Sequence, residues 1–256
     1  MKLVIVVLGS GAREHALLGA LHRGGQKFHP SHAIMLHCIG TTCNPAVSAL
    51  CGESGGVLIT GDITDSAFVL QQCRTLHAGL VIIGPEAPLE CGIADLLRRE
   101  RIAVLGPGKS LARIETSKSF ARTFLSHTIP EACPVFTIAN TTSEAAAFLS
   151  QLGQHYVIKA DGLTGGKGVK VAQDHLHNHQ EALCYCEELL APEGSRCVIE
   201  EKLYGEEFSL MTLTDGITCM HFPVVQDHKR AYAGDTGPNT GGDRKSTRLN
   251  SSHRIR

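Results

Sequence analysis

LVIVVLGSGAREHALLGALHR, residues 3–23, joins an apolar run to a helical pattern through a glycine-rich turn. The run Leu3–Leu8 has the length of a strand and carries no charge, which is typical of a strand buried on both faces. Apolar residues then recur at helical spacing over Ala12–Arg23. A secretory leader would need a longer apolar stretch followed by a small-residue cleavage site. We therefore interpret the run as the first strand of an α/β domain and expect a cytoplasmic protein.

The same alternation continues as far as the breaker cluster at 106–108, which predicts a first domain over residues 1–108. Apolar strands that alternate with helices are typical of a parallel sheet covered on both faces. The predicted strands are Ile34–Ile39, Val57–Thr60, Leu80–Ile83 and Ile102–Leu105, and the predicted helices are Asp65–His77 and Leu89–Arg101.

Residues 109–242 have a different pattern, in which strands and helices are less regularly alternated and short turns join the last strands. This pattern predicts an α+β region that ends in an antiparallel meander. The predicted helices are Ser110–Ser126, Ser143–Leu152 and Glu181–Leu190, and the predicted strands are Val135–Ile138, Tyr156–Ala160, Val169–Ala172, Cys197–Glu200, Glu207–Thr214 and Thr218–Val225.

The composition argues against several classes of protein. Lys and Arg total 24 against 25 Asp and Glu, so the chain lacks the basic excess of a nucleic-acid-binding protein. No apolar run approaches the roughly 18 residues that a membrane span needs. The ten cysteines form no CxxC pair, which disfavours a zinc ribbon or a thioredoxin-type site. We expect small-molecule partners, with no nucleic acid and no membrane.

Two glycine loops of the first domain depart from nucleotide-binding patterns. In the turn of Gly9 and Gly11, Glu14 stands where a dinucleotide fingerprint has its third glycine, which argues against NAD. The turn can still hold an anion at a helix N-terminus, or it can be purely structural. The loop Ala103–Ser110 lacks the first glycine of a Walker A motif and contains a proline, so we interpret it as a linker.

A third loop, KADGLTGGKGV at 159–169, is followed by a strand rather than a helix. It is therefore the turn of a hairpin, and any phosphate would be bound by the loop and not by a helix dipole. Its glycines permit close backbone approach, while Lys159 and Lys167 supply charge. The loop is a candidate nucleotide-binding hairpin, and the alternative is an ordinary surface hairpin.

Five segments together carry a family resemblance: GAREHA at 11–16, GPEAPL at 84–89, ETSKSF at 115–120, KADGLTGGKGV at 159–169 and DHKRAYAGDTGPNTGG at 227–242. In this order and spacing the chain resembles phosphoribosylamine–glycine ligases (glycinamide ribonucleotide synthetases), which are ATP-grasp ligases of purine biosynthesis. The resemblance implies a Rossmann-like pre-ATP-grasp domain over 1–108 and an incomplete ATP-grasp domain over 109–242, with a lid lobe at about 129–194. It also implies ATP-dependent ligation of glycine to 5-phosphoribosylamine through glycyl phosphate, giving glycinamide ribonucleotide, ADP and phosphate.

The resemblance assigns an ATP site. The phosphate-contacting lysines of the family match Lys118 and Lys159. The loop that would close over the β- and γ-phosphates consists of Gly165, Gly166, Lys167 and Gly168. The hinge that receives the adenine matches Glu200, Glu201 and Leu203, and the acid that accepts from the ribose hydroxyls matches Glu207.

The resemblance also assigns a substrate site. Glu86, beside Pro85, would contact the ribose of phosphoribosylamine, and the turn of Gly9, Gly11 and Glu14 would lie beside it. A later group would line the acceptor and acyl-phosphate region, with Arg230, Asp235 and Asn239 as the catalytic candidates and Asp227 and Lys229 as substrate-binding ones.

After Gly242 the sequence DRKSTRLNSSHRIR no longer resembles the family. We interpret 243–256 as a disordered or foreign tail. The family uses Mg²⁺ (or Mn²⁺), and its metal ligands would lie beyond the family-like part, so the resemblance implies that this chain is an inactive fragment.

Other functions stay open at this point. They are a related ATP-grasp purine enzyme with another acceptor, a non-catalytic nucleotide-binding module, and an NAD-dependent oxidoreductase, which Glu14 disfavours. The His175-Leu-His177-Asn-His179 segment is interpreted as a polar loop, with a metal site as its alternative.

Overall fold

The computed structural model describes residues 3–28, 34–165, 168–226, 230–232 and 236–239. The chain divides into two compact units, Met1–Phe124 and Leu125–Arg256. In the described ranges, no helix combines the length and the apolar character that a membrane crossing requires. The division at residue 108 and the lid range 129–194 remain predictions.

The first unit is built on a five-stranded parallel sheet with the strand order β3-β2-β1-β4-β5. Helices cover both of its faces, as predicted. The strands are β1 (Leu3–Leu8), β2 (Ile34–Gly40), β3 (Leu58–Thr60), β4 (Leu80–Ile83) and β5 (Ala103–Leu105). The helices are α1 (Ala12–Phe28), α2 (Pro45–Glu53), α3 (Ser66–Thr75), α4 (Glu86–Glu90), α5 (Ile93–Arg99), α6 (Lys109–Thr116) and α7 (Lys118–Thr128), the last of which runs into the second unit.

Successive side chains of β1 belong to two separate hydrophobic cores, one on each face of the sheet. Ile5 and Val7 face α1 and α2, where they pack with Leu18. Val6 and Leu8 face α3 and α5 on the other side of the sheet. All four side chains are buried because successive residues of a strand point to opposite faces. The uninterrupted apolar run of β1 therefore follows from burial on both faces.

Two predicted helices are each divided in the structure. The helix predicted over Leu89–Arg101 is wrong as a single element, because Gly92 takes a left-handed backbone (φ +79°) between α4 and α5. The helix predicted over Ser110–Ser126 is also two helices. Ser117 between them is extended, and its hydroxyl accepts a hydrogen bond from the Phe120 amide at 3.2 Å, which is the geometry of an N-cap.

Helix α2 was missed by the sequence analysis. Its N-terminus has a recognisable signal, because Asn44 accepts hydrogen bonds from the Ala46 and Val47 amides and Pro45 occupies the first helical position.

The second unit contains a four-stranded antiparallel sheet with the order β6-β9-β7-β8. Helices α8 and α9 pack on one face of this sheet. The elements are β6 (Phe136–Ala139), α8 (Thr142–Leu152), β7 (Tyr156–Ala160), β8 (Val169–Val171), α9 (His179–Leu190) and β9 (Cys197–Glu201), preceded by a short 3-10 turn (Pro130–Ala132).

The meander predicted from Cys197–Glu200, Glu207–Thr214 and Thr218–Val225 is antiparallel but only partly correct. Cys197–Glu200 lies in β9, which pairs with β6 and β7, and each of the other two predicted strands is split. The observed strands are β10 (Phe208–Ser209), β11 (Thr212–Thr214), β12 (Cys219–His221) and β13 (Val225–Gln226), followed by β14 (Arg230–Tyr232) and β15 (Thr236–Asn239). β10 pairs with β13, and β11 pairs with β12. Pro223 separates β12 from β13, because proline has no amide hydrogen to donate to a ladder.

Burial makes several thiols of the first unit poor acids. It raises the pKa of Cys38 to about 12, with smaller contributions from the charges of Cys51 and Glu14, and it raises the pKa values of Cys51 and Cys73 to about 11. We expect a maleimide at pH 8 to label the exposed thiols of the folded protein and to spare these three until the chain unfolds. Mass spectrometry of the labelled peptides measures this. The exposed thiols are Cys43, Cys91, Cys184 and Cys219.

The same pKa values set a pH dependence of stability. A folded thiol with a raised pKa contributes its full stabilising effect below the pKa of an exposed thiol, about 8.5. That effect is lost as the pH rises toward 11 and 12, the values of the buried thiols. Urea unfolding should therefore give a smaller free energy of unfolding at pH 10 than at pH 8, and replacing Cys73 with Ala should reduce that difference. Equal pH dependence in the two proteins would contradict the assignment.

Candidate functional site

The carboxyl edge of the parallel sheet has a switch point between β1 and β4, and we call the space outside the strand ends at that point the crevice. The strand order reverses there, since the chain builds outward through β2 and β3 on one side and through β4 and β5 on the other. Open α/β sheets bind ligands at this switch point. The turn after β1 and the GPEAPL segment after β4 both lie at this edge, joined to neighbouring strands by the Gly9 amide on the Ile39 carbonyl (2.7 Å) and the Gly84 amide on the Leu8 carbonyl (3.0 Å).

Glu14 lies next to Gly9 and Gly84 at this switch point and is 4% exposed. Its Oε2 accepts a hydrogen bond from the Gly11 amide at 2.7 Å, and its Oε1 accepts one from Arg13 Nε at 3.0 Å. The carboxylate thus occupies the N-terminus of α1, where a dinucleotide-binding protein holds a pyrophosphate. The anion bound at this turn is the protein's own side chain.

Two glycines leave the space that Glu14 fills. A Cβ atom on Gly84 would lie 2.7 Å from Glu14 Cγ and would overlap Oε1. A Cβ atom on Gly9, whose φ is +107°, would lie 2.9 Å from Pro85 Cδ and 3.0 Å from Glu14 Cδ. Gly84, directly after β4, therefore leaves the room that the Glu14 side chain needs in place of the third fingerprint glycine.

Arg13 connects Glu14 to Glu86. Its Nη1 lies 3.4 Å from Glu86 Oε1, and the side chains of Arg13 and Glu86 are 44% and 34% exposed. Both acids were predicted from the sequence motifs, but the arginine between them was not. With two carboxylates and one guanidinium, this end of the crevice carries a net negative charge, which suits a ligand that presents hydroxyl or amino hydrogens.

Polar groups after β2 extend the same edge. Ser10 Oγ lies 3.2 Å from Thr42 Oγ1, and Asn44 Nδ2 donates to the Ser10 carbonyl at 3.0 Å. Gly40 ends β2 close to Ser10, whose side chain leaves no room for a Cβ there. These residues were not predicted from the sequence, although a glycine followed by two threonines after a buried strand is a signal that indicates them.

In the second unit, the face of the sheet opposite α8 and α9 carries the predicted nucleotide-binding lysine. Val157 pairs with Glu200 and Lys159 pairs with Val198 across β7 and β9, so these four residues share that face. Lys159 Nζ forms an ion pair with Glu200, whose side chain is only 6% exposed. A charged pair is thus set on a largely apolar strip that includes Val171 of β8 and Ile138 of β6.

The glycine loop closes the β7–β8 hairpin, as the sequence predicts. The Ala160 amide donates to the Gly168 carbonyl at 2.7 Å, and the Gly168 amide donates to Thr164 Oγ1 at 3.2 Å. Gly162 and Gly165 have φ values of +88° and +59°, a region that glycine enters without strain. The other two predicted loop residues, Gly166 and Lys167, lie outside the described residues.

The two acids that end β9 point to opposite faces. Glu201 lies opposite Tyr156 on the helix side, and its Oε1 accepts a hydrogen bond from the Val135 amide at 2.8 Å. Its own amide donates to the Val135 carbonyl at 2.9 Å. Glu201 thus holds Val135, directly before β6, against the end of β9, while Glu200 faces Lys159.

The remaining predicted residues are distributed as follows. Leu203 and Glu207 are exposed after β9, and Lys118 begins α7 and belongs to the first unit. Arg230 and Asn239 are paired residues of β14 and β15, where only the backbone is described. Asp227, Lys229 and Asp235 lie outside the described residues, as does the tail at 243–256.

The histidine segment does not gather into a metal site. His175 Nδ1 accepts a hydrogen bond from the Val171 amide at 3.2 Å, and His179 Nε2 donates to the Gly153 carbonyl at 2.7 Å. Across the described ranges there is no group of three or more His, Cys, Asp or Glu side chains that could hold a metal ion.

Comparison with known families identifies both units. Residues 3–115 match the phosphoribosylglycinamide synthetase N domain, and residues 116–249 match the ATP-grasp (A) domain of the same family. The chain belongs to the phosphoribosylglycinamide synthetase family. The resemblance drawn from the sequence motifs is thereby confirmed, although the second match continues past Gly242 into the segment interpreted as a tail.

Individual relatives in this family match almost the whole of this chain. The phosphoribosylamine–glycine ligase of Methanosarcina acetivorans is 39% identical over 242 residues, which are 94% of this chain and 52% of that protein. The Methanosarcina barkeri enzyme is 40% identical over 238 residues, 93% of this chain and 52% of that protein. The chain therefore spans about half the length of the curated relatives it matches.

Solved structures agree with the fold. The phosphoribosylamine–glycine ligase of Thermotoga maritima has a TM-score of 0.69 at 28% identity, covering 94% of this chain and 54% of that one. An ADP complex of N5-carboxyaminoimidazole ribonucleotide synthetase has a TM-score of 0.64 at 17% identity, covering 88% and 54%, which is a likeness of fold alone. The predicted fold class, a Rossmann-like α/β domain followed by part of an ATP-grasp domain, is confirmed.

Proposed function

We propose that this chain supplies the phosphosugar-binding and nucleotide-binding parts of a phosphoribosylamine–glycine ligase. The reaction joins glycine to 5-phosphoribosylamine and converts ATP to ADP and phosphate, giving glycinamide ribonucleotide in the cytoplasm. The observation that carries the proposal is the pair of sites described above. One unit has a negatively charged crevice for hydroxyl and amino groups, and the other has a glycine hairpin beside a half-buried lysine on an apolar strip.

The chemistry explains why both sites are needed. The glycine carboxylate is an anion without a good leaving group, so an amine does not attack it directly. Transfer of the terminal phosphoryl group from ATP gives an acyl phosphate, whose carbonyl carbon the ribosylamine nitrogen attacks with release of phosphate. The protein contributes positioning and charge neutralisation in a site from which water is excluded.

In this proposal Lys159 and the loop of Gly165 and Gly168 bind the phosphates, and the apolar strip beside Val157 and Val198 receives the adenine. Purine rings bind to apolar surfaces that also offer a few polar groups for orientation. Lys118, Glu201, Leu203 and Glu207 complete the nucleotide site by the family pattern. Arg230, Asp235 and Asn239, with Asp227 and Lys229, are proposed for the acyl-phosphate region by the same pattern.

Magnesium accompanies ATP in this chemistry, where it neutralises phosphate charge. The described residues offer no acidic cluster that fits the ion. The magnesium ligands of the site are therefore not assigned to the described residues.

Nucleotide binding gives the direct test. We expect ATP with magnesium to raise the midpoint of thermal unfolding, since a ligand at about 100 times its Kd stabilises the state that binds it by about 2.7 kcal/mol. NAD should leave the midpoint unchanged, because Glu14 occupies the pyrophosphate position. Differential scanning fluorimetry with both ligands measures this, and a shift with NAD but none with ATP would refute the proposal.

A further inference from the structure

Arg13 makes hydrogen bonds to two carboxylates that belong to different elements. Glu14 follows it in the first turn of α1, and Glu86 begins α4 on the far side of the crevice. Nε donates to Glu14 at 3.0 Å, and Nη1 lies 3.4 Å from Glu86. The arginine therefore spans the two sides of the switch point.

The guanidinium group suits this bridge for a geometric reason. It is planar and presents its donors in fixed directions, so different nitrogens can hold two carboxylates at once. Partial burial lowers the pKa of Arg13, but the hydrogen bond to Glu14 and the charges of Glu86 and Glu14 outweigh it and leave the pKa raised. A lysine has the same charge on a single nitrogen and cannot reproduce the fork.

Glu86 depends on a side-chain partner for its orientation. Helix α4 has only five residues, and its N-cap, Pro85, makes no side-chain capping hydrogen bond. The carboxylate is one-third exposed, and Glu14 is a like charge on the other side of the guanidinium. Without Arg13, Glu86 would be repelled by Glu14 and free to adopt other rotamers.

We infer that Arg13 is a positioning residue that holds Glu86 in place to accept hydrogen bonds from the vicinal 2- and 3-hydroxyl groups of a pentose 5-phosphate. Arg13 acts through Glu86 and does not touch the sugar. The net negative charge of the Glu14–Arg13–Glu86 group excludes the phosphate from this end of the crevice, so the sugar hydroxyls face it. The inference rests on the proposed function, because it assigns the crevice to the phosphosugar substrate.

Titration calorimetry of the whole chain with ribose 5-phosphate and with 2-deoxyribose 5-phosphate tests the inference. The unsubstituted protein should prefer ribose 5-phosphate by at least ten-fold. Arg13→Lys and Arg13→Gln should each weaken ribose 5-phosphate binding about ten-fold and remove the preference, as should Glu86→Gln. Because Arg13 acts through Glu86, the double variant Arg13→Gln/Glu86→Gln should bind no more weakly than Glu86→Gln alone.

Arg74→Lys is the matched control. Arg74 forms an ion pair with Glu100 at the end of α3, just before β4 begins, and so at the opposite edge of the same sheet. The Arg74→Lys variant should bind ribose 5-phosphate and 2-deoxyribose 5-phosphate with the affinities of the unsubstituted protein. The shift in thermal midpoint with ATP should be the same in all variants, which separates lost positioning from lost folding.

The possible outcomes test the positioning role of Arg13 and the proposed function separately. No binding of ribose 5-phosphate to the unsubstituted protein would contradict the proposed substrate class and this inference with it. Binding that keeps its affinity and hydroxyl preference in both Arg13 variants would overturn the positioning role and leave the proposed function standing. If Arg13→Gln does not fold, Arg13→Lys and Glu86→Gln give the same decision.

Discussion

Replacing Gly84 with alanine should destabilise the first unit by roughly 2–4 kcal/mol. The new Cβ atom would overlap Glu14 Oε1 and lie 2.7 Å from Glu14 Cγ. Glu14 is itself buried, and it cannot move aside without giving up its hydrogen bond from the Gly11 amide. Either the carboxylate is displaced or the GPEAPL segment shifts, and both changes deform the crevice. Urea unfolding measures the loss of stability, and binding of ribose 5-phosphate should disappear with it.

Two further variants make the Gly84→Ala result specific. Gly52→Ala is the matched control, because Gly52 lies in helix α2 with nothing within 4 Å of its added Cβ atom. It should stabilise the protein by about 0.5–1 kcal/mol. Adding Glu14→Gly to Gly84→Ala removes the overlapping carboxylate, so the double variant should be less destabilised than the sum of the single ones. Strict additivity, or a Gly84→Ala protein as stable as the parent, would show that Glu14 does not fill this space.

The architecture of the first unit was predictable because its signals are local and mutually consistent. The buried strands β1 and β4 are short uninterrupted apolar runs, and the glycine turn of Gly9 and Gly11 marks the first change from strand to helix. Breaks inside helices were harder to find. Gly92 and Ser117 interrupt helical patterns whose apolar spacing continues across them, so periodicity alone joined α4 to α5 and α6 to α7.

The meander was less predictable because its strands are mostly exposed. The residues of β11 and β12 are all exposed, so no buried face fixes where each strand begins or ends. Their sequence still alternates enough to indicate strands and antiparallel pairing. The strands are shorter than predicted, and Pro223, which interrupts the predicted strand Thr218–Val225, is a local signal of one of the breaks.

The candidate site, like the fold, was only partly predictable from the sequence. Sequence motifs named Glu14, Glu86, Lys159 and Glu200, but they carry no information about which of these touch each other. The bridge through Arg13 depends on the β1–β4 crossover, and the separation of Glu200 from Glu201 depends on the register of β7 and β9. Such contacts are set by topology and register and not by spacing along the chain.

Replacing Lys159 with methionine should weaken ATP binding by about 10- to 100-fold, the value of one or two charge-assisted contacts to phosphate. It should also destabilise the second unit by about 3 kcal/mol, because the buried Glu200 carboxylate loses its ion pair with Lys159. Calorimetric titration with ATP and urea unfolding measure the two effects separately.

A second substitution separates the binding role of Lys159 from its role in the fold. Lys159→Met/Glu200→Leu replaces the buried ion pair with apolar side chains of similar size, an exchange that is often neutral for stability. The double variant should recover most of the lost stability and still bind ATP weakly, because the ammonium group of Lys159 no longer faces the phosphates. Lys170→Met is the matched control on the same hairpin, since the Lys170 ammonium lies 3.9 Å from the centre of the Tyr185 ring on the helix side of the sheet. It should leave ATP affinity unchanged. If the stability-restored double variant bound ATP as tightly as the parent, Lys159 would be a structural residue and the nucleotide would have to bind elsewhere.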